Sequence, residues 1–253
     1  MVRLTGFLAA TQFLTRVPIR LRREPDVART VPWFPVVGGV IGAAVGGAAA
    51  GLWHVVPPLV AAAVAVAIGL LITGAFHEDG LADVADAFGG GWTIERRLEI
   101  LHDPRHGSYG VAAMCSSIVV RMVCIGSMPG PATMFASAVA AHAAARGAAV
   151  ALMGVAPLAT HEGLGVDYGQ STTPARAIAG AAAGIAVASL AVGWWAAPLA
   201  LAMLVSIVAV RWLALRKIGG ISGDVLGACE QVAECLGLVV LSGLAAHHAL
   251  WWR

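Results

Sequence analysis

Charge is scarce in this chain: Asp, Glu, Lys and Arg make up 12% of its 253 residues, against 59% hydrophobic ones. That balance excludes a water-soluble core wrapped in charged surface. Several uncharged stretches of about 18 residues or more point instead to a polytopic integral membrane protein. Lysine occurs once, at Lys217, while every other basic residue is arginine, a bias that reads as coding composition rather than function. Cys115, Cys124, Cys229 and Cys235 lie in apolar segments without CxxC spacing. They are read as small buried hydrophobes, neither a thiolate metal site nor a disulfide framework. The net charge is only +2, and no basic stripe interleaved with aromatics appears, so no nucleic-acid partner is expected. The N-terminus also lacks a signal-peptide h-region and cleavage site, its apolar run Phe7–Leu14 being too short to cross a bilayer.

What is present is organised around membrane spans. Residues 1–32 carry Arg3, Arg16, Arg20, Arg22, Arg23 and Arg29, which suits an amphipathic interfacial helix with arginines toward lipid headgroups, ended by Pro18. Spans are then expected near 33–53, 55–76, 108–128, 133–156, 176–194, 197–215 and 230–251. The fold expected is an all-α polytopic helix bundle of about seven transmembrane helices plus the interfacial helix, with 1–253 as one membrane-embedded domain. Gly38, Gly42 and Gly46 recur every four residues, and Gly47 and Gly51 do likewise, the small-xxx-small spacing that lets helices approach closely. Pro57-Pro58 and Met128-Pro129-Gly130-Pro131 predict tight turns.

The richest segment is 77–107, expected as an acidic loop at the cytoplasmic face. His77-Glu78-Asp79-Gly80-Leu81-Ala82-Asp83-Val84-Ala85-Asp86 sets four acids within nine positions. On a helix Asp79, Asp83 and Asp86 fall at i, i+4 and i+7 and share one face, which suits a hard divalent cation such as Mg2+. A solvated acidic first turn is the plainer reading. Gly89-Gly90-Gly91 either cradles phosphate oxygens or simply ends a helix, and Thr93 should cap a short helix after it. His102-Asp103-Pro104-Arg105-His106 crowds the mouth of the next span, with Arg105 as a phosphate clamp or a positive-inside anchor.

Asp224, Glu230 and Glu234 form a second acidic group, the two glutamates one turn apart and entering an apolar run where an unpaired carboxylate is expensive. Arg121 and Arg146 are natural partners for them or for an anionic substrate. His142 reads as a satisfied core histidine, and His54, His247 and His248 are given no role. With the N-terminus inside, 13 of the 16 basic residues fall on the cytoplasmic side, and all 14 acids fall on or just inside that face. An enzyme working at one membrane face is favoured over a transporter, which would carry acids deep in several spans or an inverted repeat.

The run Phe76–Gly91, the following Leu101-His102-Asp103-Pro104-Arg105-His106-Gly107-Ser108-Tyr109-Gly110, and the late Gly223-Asp224-x-x-Gly227-x-x-x-Glu230-x-x-x-Glu234 resemble the signature regions of the cobalamin synthase family, adenosylcobinamide-GDP ribazoletransferase. Phe13-Leu14-Thr15-Arg16-Val17-Pro18 and Trp33-Phe34-Pro35-Val36-Val37-Gly38 resemble its start. The likeness touches most of the chain in order. Pro104 and His106 depart from the Asp-Ser-Arg-(Ile or Val)-Gly-Thr expected there. The resemblance implies a Mg2+-dependent inner-membrane enzyme of vitamin B12 biosynthesis. It would transfer adenosylcobinamide phosphate from adenosylcobinamide-GDP to alpha-ribazole or its 5'-phosphate, releasing GMP. It is compatible with a homo-oligomer or a complex with other enzymes of the pathway.

Joined to the residues, this implies Mg2+ on Asp79, Asp83 and Asp86, with Glu78 as an alternative ligand. Arg105 and Arg146 would offset phosphate charge, and His77, Asp103 or Asp224 would serve as general base. Glu230 and Glu234, with Asp224, would complete the metal shell or orient the ribazole, and Gly90 would meet phosphate. A CDP-alcohol phosphotransferase is the rival enzyme class, but its Asp-Gly-x-x-Ala-Arg order is missing, Asp83 standing where alanine would.

Overall fold

The computed structural model describes residues 2–21, 26–159 and 171–252. Arg22, Arg23, Arg253 and most of the 157–175 segment lie outside the described residues. The chain is helical almost throughout: α1 Val2–Leu14, α2 Val27–Thr30, α3 Phe34–Leu52, α4 Pro58–Thr73, α5 Phe76–Gly90, α6 Ile94–Leu101, α7 Ser108–Gly126, α8 Pro131–Val155, α9 Pro174–Val192, α10 Ala196–Ile218 and α11 Gly223–Ala245. One isolated parallel bridge, Leu158 to Ile221, ties the end of α8 to the start of α11.

Among the described residues, five stretches are long and apolar enough to cross a membrane, and α4 with α5 would add one only as a pair bent by 90°. The expectation of about seven spans is therefore not reproduced by length and hydropathy. Two places make the difference. At 16 residues α4 is short of the roughly 20 a span needs. Residues 174–218 form a single apolar stretch of 45 residues, broken at Gly193, where φ is +61°. The multi-pass membrane character itself stands.

The core is built on α8, against which α3, α9 and α11 pack. About half of its buried residues are alanine, including Ala138, Ala141, Ala144, Ala145 and Ala148, so neighbours come close. The glycine stripe expected on α3 meets it. A Cβ on Gly38 would lie 2.5 Å from the His142 carbonyl oxygen, one on Gly42 2.8 Å from Val139 Cα, and one on Gly46 2.8 Å from Phe135 Cα. By contrast Gly47 and Gly51 face open space, so that second pair makes no helix contact.

The N-terminal helix is docked, not merely laid on the surface. Phe7 meets Trp33 edge-on at 5.8 Å, and Phe13 stacks on Phe34 at 5.4 Å. The segment expected as a loop at 77–107 is instead mostly helix. After α4 the chain turns through Gly74 (φ +68°) and Ala75 (φ +56°) and at once begins α5, a polar helix lying outside the apolar stretches and packed between α7 and α11. A left-handed alanine is uncommon and costs backbone strain. Here it makes the elbow that aims the acidic cluster.

Candidate active site

The four acids of α5 part company. Helical geometry turns Glu78 away from the face that Asp79, Asp83 and Asp86 share, and the start of α7 covers Asp86, so that Glu78 and Asp86 are buried while Asp79 and Asp83 stay open. Glu78 is buried and its carboxylate lies 2.8 Å from the Arg121 guanidinium. Asp86 accepts the backbone N–H groups of Gly107 at 2.6 Å and Gly110 at 2.9 Å, supplying the N-terminus of α7 with the cap that Gly107 cannot provide. Both had been expected as metal ligands. They are engaged elsewhere because one partner is a buried cation and the other a pair of orphan amides.

Asp79 and Asp83 remain on the open face, joined through His106: Nε2 lies 3.3 Å from Asp79 and Nδ1 3.3 Å from Asp83. Nothing in the family resemblance pointed to His106, which entered only as a departure. Asp224 comes to the same patch because α5 and α11 touch through glycine: a Cβ on Gly80 would lie 2.9 Å from the Asp224 carbonyl oxygen, and one on Gly227 3.5 Å from His77. Asp224 also accepts a hydrogen bond from Ser222 Oγ at 3.3 Å. The Asp83 carboxyl is pushed up to about 6, first by burial, then by the negative charges of Asp79 and Asp224, with His106 opposing. Carboxylates crowded without a full counter-charge fit a hard cation in chemistry. Among the described residues no three metal-binding side chains already form a ligand shell.

Asp103 and Arg105 hold each other at the exposed turn before α7, through Nε–Oδ1 at 2.9 Å and Nη2–Oδ2 at 2.7 Å. Those hydrogen bonds pull the Asp103 carboxyl down to about 2, which makes it a poor proton acceptor. The triple glycine is the end of α5, not a cradle. Gly90 is helical and exposed, and the Gly91 N–H is spent on the Ala87 carbonyl at 3.0 Å. Arg97 closes that end with Nε to the Gly91 carbonyl, 3.0 Å, and Nη1 to that of Lys217, 2.9 Å, while Lys217 Nζ reaches the Phe88 carbonyl at 2.9 Å. These are cations at helix C-termini, where the dipole favours them. As expected, Thr93 caps α6, its hydroxyl accepting the Arg96 N–H at 3.2 Å.

A second cluster is wholly buried. Arg146 Nη1 lies 2.7 Å from Glu230, Arg121 Nη1 3.3 Å from Glu234, His142 Nδ1 3.0 Å from Glu234, and His77 Nδ1 3.4 Å from Glu230. Glu78 joins it through Arg121. Glu230 and Glu234 are 0% and 1% exposed, seven and eleven positions inside α11, so these acids and Glu78 lie inside the bundle and not on its face. Of the two roles the sequence left open for Arg121 and Arg146, the structure shows them paired with the two glutamates, which leaves neither facing the open patch as a phosphate ligand. His77 belongs to this cluster and is turned from the open patch.

Asp79 and His106 also line a cavity of about 500 Å³, together with residues from the end of α1 and the elbow at 73–76. An acidic patch beside such a cavity, at one end of a membrane bundle, is the setting for a reaction on a charged substrate.

Residues 6–242 match the family described as cobalamin-5-phosphate synthase. The chain belongs to that family. Similar proteins include adenosylcobinamide-GDP ribazoletransferases from Ralstonia pickettii, 37% identical over 94% of this chain and 93% of the relative, and from Bradyrhizobium diazoefficiens, 40% identical over 91% and 90%. That of Chlorobaculum tepidum is 34% identical over 91% of this chain and 92% of its own. No solved structure matches the chain. Membership of the family makes the chain a transferase of cobalamin biosynthesis, carried on a multi-pass membrane bundle.

Proposed function

We propose that the chain transfers adenosylcobinamide phosphate from adenosylcobinamide-GDP to alpha-ribazole or its 5'-phosphate, with Mg2+ held on Asp79 and Asp83 and Asp224 as the neighbouring carboxylate. The observation that carries this reading is the pair Asp79 and Asp83 on the open face of α5, joined through His106, with Asp79 and His106 lining the elbow cavity. A ribose hydroxyl of the acceptor attacks the phosphorus bonded to cobinamide. The new P–O bond forms as the bond to the GMP oxygen breaks, and the hydroxyl proton departs. Phosphoryl transfer asks mainly for positioning and charge neutralisation. The chemistry a Mg2+ supplies there is a positive charge against the diphosphate and the leaving GMP. Asp224 is the candidate to receive the hydroxyl proton, since Asp103 is held by Arg105 and His77 is buried against Glu230. The bundle would sit in the inner membrane with its N-terminus and acidic patch cytoplasmic, by the arginine bias.

The test is purified protein in nanodiscs with adenosylcobinamide-GDP and alpha-ribazole 5'-phosphate, following GMP and corrinoid product with and without Mg2+, beside Asp83→Asn. Metal-dependent formation of both products, lost in a folded variant, is expected. No turnover by folded wild-type protein at any metal concentration overturns the reading.

A further inference from the structure

The arginines that sequence offered as phosphate ligands are all occupied. Arg105 is paired with Asp103, and Arg146 and Arg121 are sealed in the buried cluster. Arg97 is spent on helix-end carbonyls. The cavity beside Asp79 nevertheless contains an arginine, Arg16, at the end of α1. Among the described residues its guanidinium has no carboxylate partner.

Arg16 is held in place by its surroundings. Its backbone N–H donates to the Ile72 carbonyl at 2.7 Å, stitching the end of α1 to the end of α4. Its side chain lies across Gly74, where a Cβ would come within 3.0 Å of Cζ and 3.1 Å of Cδ. Any larger residue at position 74 would lift the guanidinium away. The elbow therefore does two things at once: it aims α5, and it seats Arg16 in the cavity that Asp79 and His106 also line. A cavity lined by a guanidinium and by the carboxylate of Asp79 suits a phosphate ester that meets the arginine directly and the carboxylate through a cation. Gln12, Thr15 and Thr73 add hydroxyl and amide groups, and Phe13 and Phe76 add aromatic wall, in a volume of about 500 Å³, the size of a small-ligand pocket.

We infer that Arg16 is a substrate-binding residue that grips a substrate phosphate in the elbow cavity, which Asp79 also lines. The N-terminal segment is thereby a wall of the active site as well as a membrane anchor. This rests on the transferase reading above. The phosphate belongs either to the diphosphate of the nucleotide donor or to the 5'-phosphate of the acceptor.

The experiment compares wild type, Arg16→Gln and Arg16→Lys in nanodiscs. It measures KM and kcat for the donor and for each acceptor, alpha-ribazole and its 5'-phosphate, and the binding of GDP and of alpha-ribazole 5'-phosphate at equilibrium without turnover. Loss of a charge-assisted contact should raise one KM about tenfold or more in Arg16→Gln, with a smaller rise in Arg16→Lys. Thermal unfolding should be unchanged, because the tie to Ile72 is made by backbone. A donor KM that rises with either acceptor, together with weaker GDP binding, assigns the grip to the diphosphate. A rise confined to alpha-ribazole 5'-phosphate assigns it to the acceptor. Donor KM, acceptor KM and both equilibrium affinities all within twofold of wild type overturn the inference. Failure of wild type to turn over would overturn the transferase reading instead, and the equilibrium-binding arms would still decide Arg16: weaker binding of GDP or of alpha-ribazole 5'-phosphate in Arg16→Gln sustains it, and equal binding of both ends it.

Discussion

The carboxylate of Asp86 and the backbone amide of Gly107 stand 21 positions apart in the chain and 2.6 Å apart in the fold. A second amide, that of Gly110, closes on the other oxygen at 2.9 Å. One side chain of α5 thus satisfies the N-terminus of α7, and glycine at both positions leaves room for it: a Cβ on Gly107 would lie 2.6 Å from the same carboxylate.

Asp86→Ala should cost on the order of 2–3 kcal/mol, because two amides lose a charged acceptor. Asp86→Asn, which keeps one acceptor oxygen, should cost less. The check is thermal unfolding in detergent or nanodiscs. An Asp86→Ala midpoint equal to wild type would show that water replaces the carboxylate and that the cap is dispensable.

Arg121 is the hinge of the buried cluster, 2.8 Å from Glu78 and 3.3 Å from Glu234. Removing one partner of a buried ion pair strands the other charge, which typically costs about 3–5 kcal/mol. Arg121→Met should therefore unfold far more readily than wild type, and adding Glu78→Gln should recover part of the loss. If the double variant is no more stable than the single one, the two residues are not coupled as the geometry has them.

Much of this was legible in the sequence, and the rest was hidden for definite reasons. Periodicity put Gly38, Gly42 and Gly46 on a packing face and Thr93 at a cap, both local matters. Cost made Glu230 and Glu234 one of two readings for Arg121 and Arg146, since charges in an apolar run need counter-charges, but it could not choose between those acids and an anionic substrate. What sequence could not divide was the acidic cluster, because i, i+4 and i+7 spacing groups Asp79, Asp83 and Asp86 on one helix face without saying what that face meets. The amides of Gly107 and Gly110 claim Asp86, and they come from another helix. The elbow was hidden too, since Ala75 in a left-handed conformation has no sequence signal, and with it the seat of Arg16.

The glycine stripe makes a paired prediction. Gly42→Ala forces a methyl to 2.8 Å from Val139 Cα and should destabilise by about 1–3 kcal/mol, whereas Gly47→Ala meets nothing within 4 Å. Relief of helical glycine should make the second change neutral or stabilising by about 0.5–1 kcal/mol. Equal effects of the two in a thermal melt would remove the α3–α8 contact as the explanation.

The Asp103–Arg105 pair predicts what pH will not do. The carboxyl is held at about 2, below the ordinary aspartate value of about 3.9. A depressed carboxyl keeps its contribution above its unfolded value and loses it only as pH falls through the folded one. Asp103 should thus stay ionised throughout the range in which the protein is active. Asp103→Asn should leave the acid limb of the pH–rate profile where it is in wild type. A limb shifted by a unit or more would mean that Asp103 titrates in the working range and serves in the chemistry.

The division of the acidic cluster can be read by metal binding without any turnover. Mn2+ replaces Mg2+ at oxygen sites and is counted directly by its paramagnetic signal, so free and bound ion can be titrated in nanodiscs. Asp79 and Asp83 face the open patch, while Glu78 is bound to Arg121 and Asp86 to two amides. Asp79→Asn and Asp83→Asn should each weaken Mn2+ binding at least tenfold, roughly 1.4 kcal/mol, at unchanged stability. Glu78→Gln and Asp86→Asn should do the reverse, lowering stability while leaving affinity within about threefold. If Asp86→Asn abolished binding in a protein that still melted like wild type, its carboxylate would have to leave the α7 amides for the metal. The sequence reading of three aligned aspartates would then be restored.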